Sequence, residues 1–298
     1  LARAQTREVQ ERLIRAHPGL AEPGAIEIRV IRTSGDRVTD RALSEIGGKG
    51  LFTKEIEDAL IAGEIDLAVH SMKDVATWLP PGLVIACHLP REDPRDAFFS
   101  PHASSIDGLA AGARVGTASL RRQAQVLARR PDLAVMVLRG NVQTRLRKLG
   151  DGEVEATLLA LAGLRRLGLS EAPTAVLSTE EMLPAVGQGA IGIECRADDA
   201  HVRSLLAPLD DPATSICVGA ERALLRLLDG SCRTPIAALA EMEGDATIRL
   251  RGLIARPDGT RVWRAERRGP ADAAEALGSD AGAELRAMAG PSFFAALA

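Results

Sequence analysis

Apolar and polar positions along this chain switch between two periods, one helical and one extended. Residues 1–16 repeat at helical spacing, with Val9, Leu13 and Ile14 available for one apolar face, and Pro18-Gly19 ends the run. Residues 25–32 alternate through Ile26, Ile28 and Val30, which predicts a strand, and 33–36 a loop. Thr53 is placed to cap a helix through Ala62, with Glu55 and Glu57 in its first turn. The run 65–69 predicts a buried strand that ends at His70-Ser-Met-Lys-Asp74, and 83–88 predicts another. Beyond residue 96 the alternation is regular. It predicts strands at 113–116, 133–137, 157–160 and 174–177, and helices at 119–129, 141–149 and 161–167.

That order of strand and helix predicts an α/β unit with a mostly parallel sheet. The proline-bearing segment 90–96 reads as a crossing into it. Pro184-Ala-Val-Gly-Gln-Gly189 reads as a second joint, followed by a strand at 190–195 that returns the chain to the first unit. Two α/β lobes with two crossovers and a cleft between them form a hinged ligand-binding architecture. The remainder predicts helices at 200–206 and 214–228, strands at 236–241, 247–254 and 261–267, and a last helix from 271 to about 288, a small α+β domain. The expected division is 1–88 with 190–207, then 89–189, then 208–298.

Composition narrows the function. A net charge of -3 gives no overall attraction to nucleic acid or anionic membranes. Aromatic residues make up 2% and tyrosine is absent, which argues against a stacking platform for single strands. No apolar run is long enough to span a bilayer. Cys87, Cys195, Cys217 and Cys232 form no C-x-x-C pair, and with five scattered histidines they make neither a metal pattern nor a disulfide framework. No metal is expected, and a reducing, cytoplasmic setting is. The chain starts at Leu1 without a methionine, so an N-terminal piece is expected to precede it.

Three features could carry chemistry. Lys73 and Asp74 follow a strand's carboxyl end, where α/β sheets place ligands, although a Lys-Asp pair also suits a solvated turn. From Arg114 to Lys148 there are nine basic residues against the single acidic Asp132. Gly116-Thr-Ala-Ser119 lies between strand and helix, with Arg121 and Arg122 in the helix's first turn, where positive charge opposes the dipole and an anion would relieve it. Arg139-Gly-Asn141 repeats the pattern, with Arg145 one turn on. Arginine's planar fork suits carboxylates, and a solvated basic face or an RNA patch is the competing reading. Cys232 sits on a Gly-Ser-Cys turn beside Arg233, as either a reactive thiol or an idle one. Gly47-Gly-Lys-Gly50 lacks P-loop spacing and reads as a flap. Together these features suggest an enzyme acting on a polyanionic small molecule. A non-catalytic anion-binding protein or an RNA binder would give Asp74 and the cysteine turn no task.

The motifs GGKGLFTKEIE, DLAVHSMKDV, REDPRDAF, VGTASLRRQ, LRGNVQTRL, AGLRRLGL, LPAVGQGAIGIECR and GSCRTPIA stand in this order over nearly the whole chain. In them the chain closely resembles the porphobilinogen deaminase (hydroxymethylbilane synthase) family. The resemblance implies three domains, the first two like periplasmic binding proteins, with the active site between them. It implies a dipyrromethane cofactor in thioether linkage to Cys232 and a transferase that condenses four porphobilinogens head-to-tail, losing ammonia at each step and releasing hydroxymethylbilane by hydrolysis. It makes Asp74 the catalytic aspartate with Lys73 beside it. It puts cofactor and substrate contacts on Thr117, Ser119, Arg121, Arg122, Arg139, Arg145 and Arg166, with Gln188 in the interdomain segment and Lys49 and Phe52 in a loop near the cleft. A cytoplasmic monomer without nucleic-acid or membrane partners is implied. The family's opening strand, with an arginine and a serine of its active site, would precede Leu1.

Overall fold

In a computed structural model, the structure describes residues 1–37, 53–169, 172–228 and 234–296. The described helices are α1 Ala2–Ala16, α2 Ser34–Arg37, α3 Lys54–Ile61, α4 Leu120–Arg129, α5 Val142–Gly150, α6 Leu161–Arg166, α7 Ala200–Leu206, α8 Pro212–Leu227, α9 Ala274–Ala289 and α10 Pro291–Ala295. The strands are β1 Leu67–Ser71, β2 Leu83–His88, β3 Asp96–Phe99, β4 Arg114–Gly116, β5 Ala134–Met136, β6 Ala156–Ala160, β7 Ala175–Val176, β8 Ile191–Arg196, β9 Ile236–Glu243, β10 Thr247–Ala255 and β11 Val262–Pro270.

These strands form three sheets, so the α/β class expected from the sequence is the one the chain adopts. The first sheet has the order β1-β8-β2, with β8 antiparallel to both neighbours. The chain therefore leaves the first sheet after β2 and comes back into its centre with β8, as the second joint predicts. Val9 and Leu13 of α1 pack on one face, against Ile191, Ile193 and Cys195. The second sheet has the order β5-β4-β6-β3-β7. Its pairs β4–β5 and β4–β6 are parallel, but β3 is antiparallel to both β6 and β7, so the sheet is mixed rather than mostly parallel. The reversal comes from β3, a fully buried strand that the prolines of 90–94 conceal in the sequence. The third sheet, β11-β10-β9, is an antiparallel meander covered by α8 and α9 through Leu224, Ile248, Leu250 and Leu285.

Other expectations shift. The strand predicted at 65–69 forms two residues later, so His70 and Ser71 belong to β1 and Lys73-Asp74 to the single 3-10 turn Met72–Asp74. Residues 25–32 form no strand. Ile28 is 42% exposed and Val30 59%, because no described strand offers a ladder to this alternating run. An ion pair between Arg29 and Glu64 at 2.8 Å fastens the segment instead. The predicted loop 33–36 ends in the helical turn α2, whose Ser34 N–H donates to Glu55 Oε1 at 2.9 Å.

The two crossovers between the first and second sheets are tied to the third-sheet layer by one carboxylate. Glu221 of α8, fully buried, accepts from Arg91 Nη1 at 2.5 Å, from the Gly187 N–H at 2.6 Å and from the Ala240 N–H at 2.8 Å. Arg91 Nε donates to the Gln188 carbonyl at 2.9 Å, which holds the crossovers to each other. At Gly189, φ is +91° and an added Cβ would stand 2.2 Å from the Glu92 carbonyl oxygen, so only glycine lets the strands approach so closely.

Candidate active site

The turn after β4 is built by its own side chains. The Thr117 N–H donates to the Met136 carbonyl at 2.8 Å, and Thr117 Oγ1 accepts from the Ser119 N–H at 3.1 Å. Ser119 is the N-cap of α4, its Oγ accepting from the Arg122 N–H at 3.4 Å. Asn141 caps α5 in the same way, its Oδ1 accepting from the Thr144 N–H at 2.9 Å. Two helices thus begin at neighbouring strand ends, each carrying arginines in or next to its first turn.

The expected anion for Arg121 and Arg122 is partly supplied by the chain itself. Asp96, fully buried at the start of β3, accepts from Arg121 Nη2 and Arg122 Nη2, each at 2.8 Å. Arg121 Nη1 donates to the Leu183 carbonyl at 2.7 Å and Arg122 Nη1 to the Leu158 carbonyl at 2.9 Å. Burial opposes the charge on Asp96, but the two guanidiniums win and hold its carboxyl well below the usual carboxylate range. Sequence reasoning missed Asp96 because it lies within a segment that reads as a polar crossing. Gln188 serves the same carboxylate: its Nε2 donates to Asp96 Oδ1 at 3.0 Å and to the Pro94 carbonyl at 2.6 Å.

Two cations against one anion leave a positive excess. The Nε atoms of Arg121 and Arg122 are buried without a partner. Arg145 donates through Nε to the Gly140 carbonyl at 2.8 Å. Its pKa is pushed down to about 10, by burial first and then by Arg122 and Arg139, while Asp74 pulls the other way. A surplus of crowded guanidinium charge is an environment that a ligand with several carboxylates relieves. By that criterion the residues present fit a carboxylate-bearing pyrrole group.

Lys73 and Asp74 come to this cluster from the first sheet. Burial lowers the Lys73 pKa, and Asp74, Arg122, Asp96 and Arg121 act on it in turn. Burial raises the Asp74 pKa, opposed by Lys73, His70 and Arg145. Both side chains are nonetheless solvent-exposed, and water damps both shifts. The turn is seated by the Met72 N–H donating to the Ala190 carbonyl at 3.0 Å, with Met72 itself buried. Lys73, Asp74, Arg121, Arg122, Arg139 and Arg145 are thus brought together, with Thr117 and Ser119 shaping the loop beside them. Arg166 is placed at the joint, its Nε donating to Glu8 Oε2 at 3.2 Å and its Nη2 to the Gly189 carbonyl at 3.1 Å. Lys49, Phe52 and Cys232 lie outside the described residues. Among the described residues no His, Cys, Asp and Glu cluster could hold a metal ion, and no helix is long and apolar enough to cross a membrane.

Residues 1–204 match the family model described as porphobilinogen deaminase, dipyromethane cofactor binding domain, and residues 215–287 match the porphobilinogen deaminase C-terminal domain. Porphobilinogen deaminase of Paracoccus denitrificans is 59% identical over 294 residues, covering 99% of this chain and 93% of the relative. The chloroplastic porphobilinogen deaminase of Oryza sativa subsp. japonica is 56% identical over 299 residues, covering 100% of this chain and 84% of the relative. Among solved structures, a YaeC-family lipoprotein of Enterococcus faecalis aligns with 14% identity and a TM-score of 0.40, over 68% of this chain and 87% of that one. With both domain models matched in order along its length, the chain belongs to the porphobilinogen deaminase family.

Proposed function

We propose that this chain is a transferase that joins four porphobilinogen molecules head-to-tail, with loss of ammonia, and releases hydroxymethylbilane. The observation that carries the reading is the meeting of Asp74 with the unbalanced guanidinium cluster of Arg121, Arg122 and Arg145. Each porphobilinogen brings an acetate and a propionate, so a growing product accumulates negative charge. The buried, unpartnered Nε groups and the crowded Arg145 accept that charge.

The dipyrromethane cofactor, in thioether linkage to Cys232, supplies the pyrrole primer to which units are added. Arg121, Arg122, Arg139 and Arg145 would hold its carboxylates, with the Thr117 and Ser119 loop framing them. The matched cofactor-binding model lies upstream of Cys232, which suits a group tethered to one part of the chain and held by another. Asp74 accepts from the pyrrole N–H groups of the substrate and stabilises the positive charge that develops as ammonia departs. Lys73, next to it, holds a substrate carboxylate. Arg166 and Gln188 keep the two crossovers in place beneath the cleft, and Lys49 and Phe52 contribute to substrate handling.

The three sheets support a division into 1–88 with 190–207, then 89–189, then 208–298. A monomer acting in a reducing, cytoplasmic setting without nucleic-acid partners completes the reading. Replacing Asp74 by Asn tests it. Product formation from porphobilinogen is expected to fall at least about 100-fold, the scale of losing one electrostatic stabiliser in a preorganised site. The fold, followed by circular dichroism, is expected to remain. Turnover at the parent rate would overturn the reading.

A further inference from the structure

Gln125 stands one turn beyond Arg121 on α4, on the same face, and both side chains are buried. Its amide grips one residue's backbone at both polar groups. Oε1 accepts from the Leu183 N–H at 2.8 Å, and Nε2 donates to the Leu183 carbonyl at 3.0 Å and to the Arg121 carbonyl at 3.3 Å. The same Leu183 carbonyl accepts from Arg121 Nη1 at 2.7 Å. Leu183 ends the segment that leads into the second joint, and the third sheet holds it as well. Its side chain belongs to an apolar cluster with Ala124, Leu239 and Leu253, and the Pro184 carbonyl accepts from the Ala238 N–H of β9 at 3.1 Å. Further back, Arg251 Nη2 of β10 donates to Thr179 Oγ1 at 2.9 Å. A cavity of about 230 Å³ borders Gln125, Thr179, Leu183 and Arg251. Packing alone therefore leaves the Leu183 backbone room to move, and the Gln125 amide restrains it.

A buried glutamine that satisfies a neighbouring segment's backbone is an ordinary structural device. Here the carbonyl it grips is also an anchor of the guanidinium cluster. Arg121 has Nη1 on Leu183 and Nη2 on Asp96 at 2.8 Å. Two fixed donors set the plane of a guanidinium, and with it the direction of the third, Nε, which is buried without a partner. If the Leu183 carbonyl shifts, Nη1 loses its fixed acceptor and the guanidinium pivots about Asp96. We propose that Gln125 is a positioning residue for Arg121, holding the Leu183 backbone so that the unused edge of the guanidinium meets a carboxylate of the pyrrole chain. This rests on the reading of Arg121 as a carboxylate contact given above. Gln125 acts through Leu183 and Arg121, by hydrogen bonds alone and without a charge of its own.

The test is steady-state kinetics with porphobilinogen on the full chain and on Gln125→Met, Gln125→Glu, Arg121→Lys and the double variant of Gln125→Met with Arg121→Lys. Each is checked for primer loading by intact mass and for stability in urea. Methionine fills the space of the amide without its hydrogen bonds. Glutamate keeps the acceptor for the Leu183 N–H and loses the donor. A carboxylate contact made alike in the ground state and the transition state shows in KM and not in kcat. Gln125→Met is expected to raise KM about tenfold with kcat within about twofold, and Gln125→Glu to move KM the same way. Lysine at position 121 has no fork for the Leu183 carbonyl to orient, so Gln125→Met added to Arg121→Lys is expected to raise KM no further. A purely structural clasp would lower the urea midpoint and the loaded fraction and leave KM at the parent value. That result overturns the inference, as does a double variant in which the two effects multiply. Should Gln125→Met not fold, Gln125→Glu decides. If Arg121→Lys keeps the parent KM, the reading of Arg121 fails and takes the inference with it. If Arg121→Lys raises KM or carries no primer, and the Gln125 variants keep the parent KM, the inference alone fails.

Discussion

Asp96 organises more of the cleft than any residue the sequence marks out. It neutralises one of two adjacent buried guanidiniums, orients both, and takes a third hydrogen bond from Gln188. Asp96→Asn keeps the shape and removes the charge, leaving Arg121 and Arg122 facing each other. Breaking a buried pair in this way costs about 3–5 kcal/mol, to be read as a lower urea midpoint at neutral pH. The pH dependence has a definite sign. The Asp96 pKa is depressed in the folded chain, so its contribution is fully present above the ordinary carboxylate value and is lost as pH falls below it. The variant's deficit should therefore shrink in acid, and a deficit independent of pH would contradict the assignment. At this scale the arginines and Lys73-Asp74 were legible, because type and position at strand ends carry the signal. Asp96 and Gln125 were not, because a carboxylate or an amide on a strand or helix looks the same whether it is buried or wet.

Among the elements, legibility followed regularity. Helices with a capping side chain, such as α4 behind Ser119 and α5 behind Asn141, form within a residue or so of expectation. The strand predicted at 25–32 failed because alternation says which face would be buried and not whether a partner strand exists. β3 was missed because Ala97-Phe98-Phe99 is too short a run to distinguish from a loop that touches the core. With β3 unseen, the antiparallel half of the second sheet was unseen as well. The joints, by contrast, were readable from glycine and proline. Gly189→Ala tests their construction: positive φ and a Cβ contact with the Glu92 backbone oxygen act together. A loss of about 2–4 kcal/mol in urea unfolding is expected, with weaker product formation as the crossovers shift. A variant as stable as the parent would show that the joint relaxes freely.

For the whole molecule, the structural result is convergence. The carboxylate comes from the end of a first-sheet strand and the guanidiniums from helix starts on the second sheet. The layer that follows, through Glu221, grips both crossovers that set the distance between them. Charge separated by many residues is brought together, in keeping with a substrate recognised by its carboxylates. The order of motifs was enough to indicate the family. The pairing of Arg121 and Arg122 with a residue of the chain itself required coordinates. The account's central claim is that a pyrrole primer is anchored to this chain and extended within the guanidinium-lined cleft. Intact mass spectrometry of the purified protein, before and after a brief exposure to porphobilinogen, tests it most directly. The account predicts a mass above that of the polypeptide, absent in Cys232→Ser, that climbs in steps of one pyrrole unit on exposure. A protein of bare polypeptide mass that still makes the linear tetrapyrrole would contradict it.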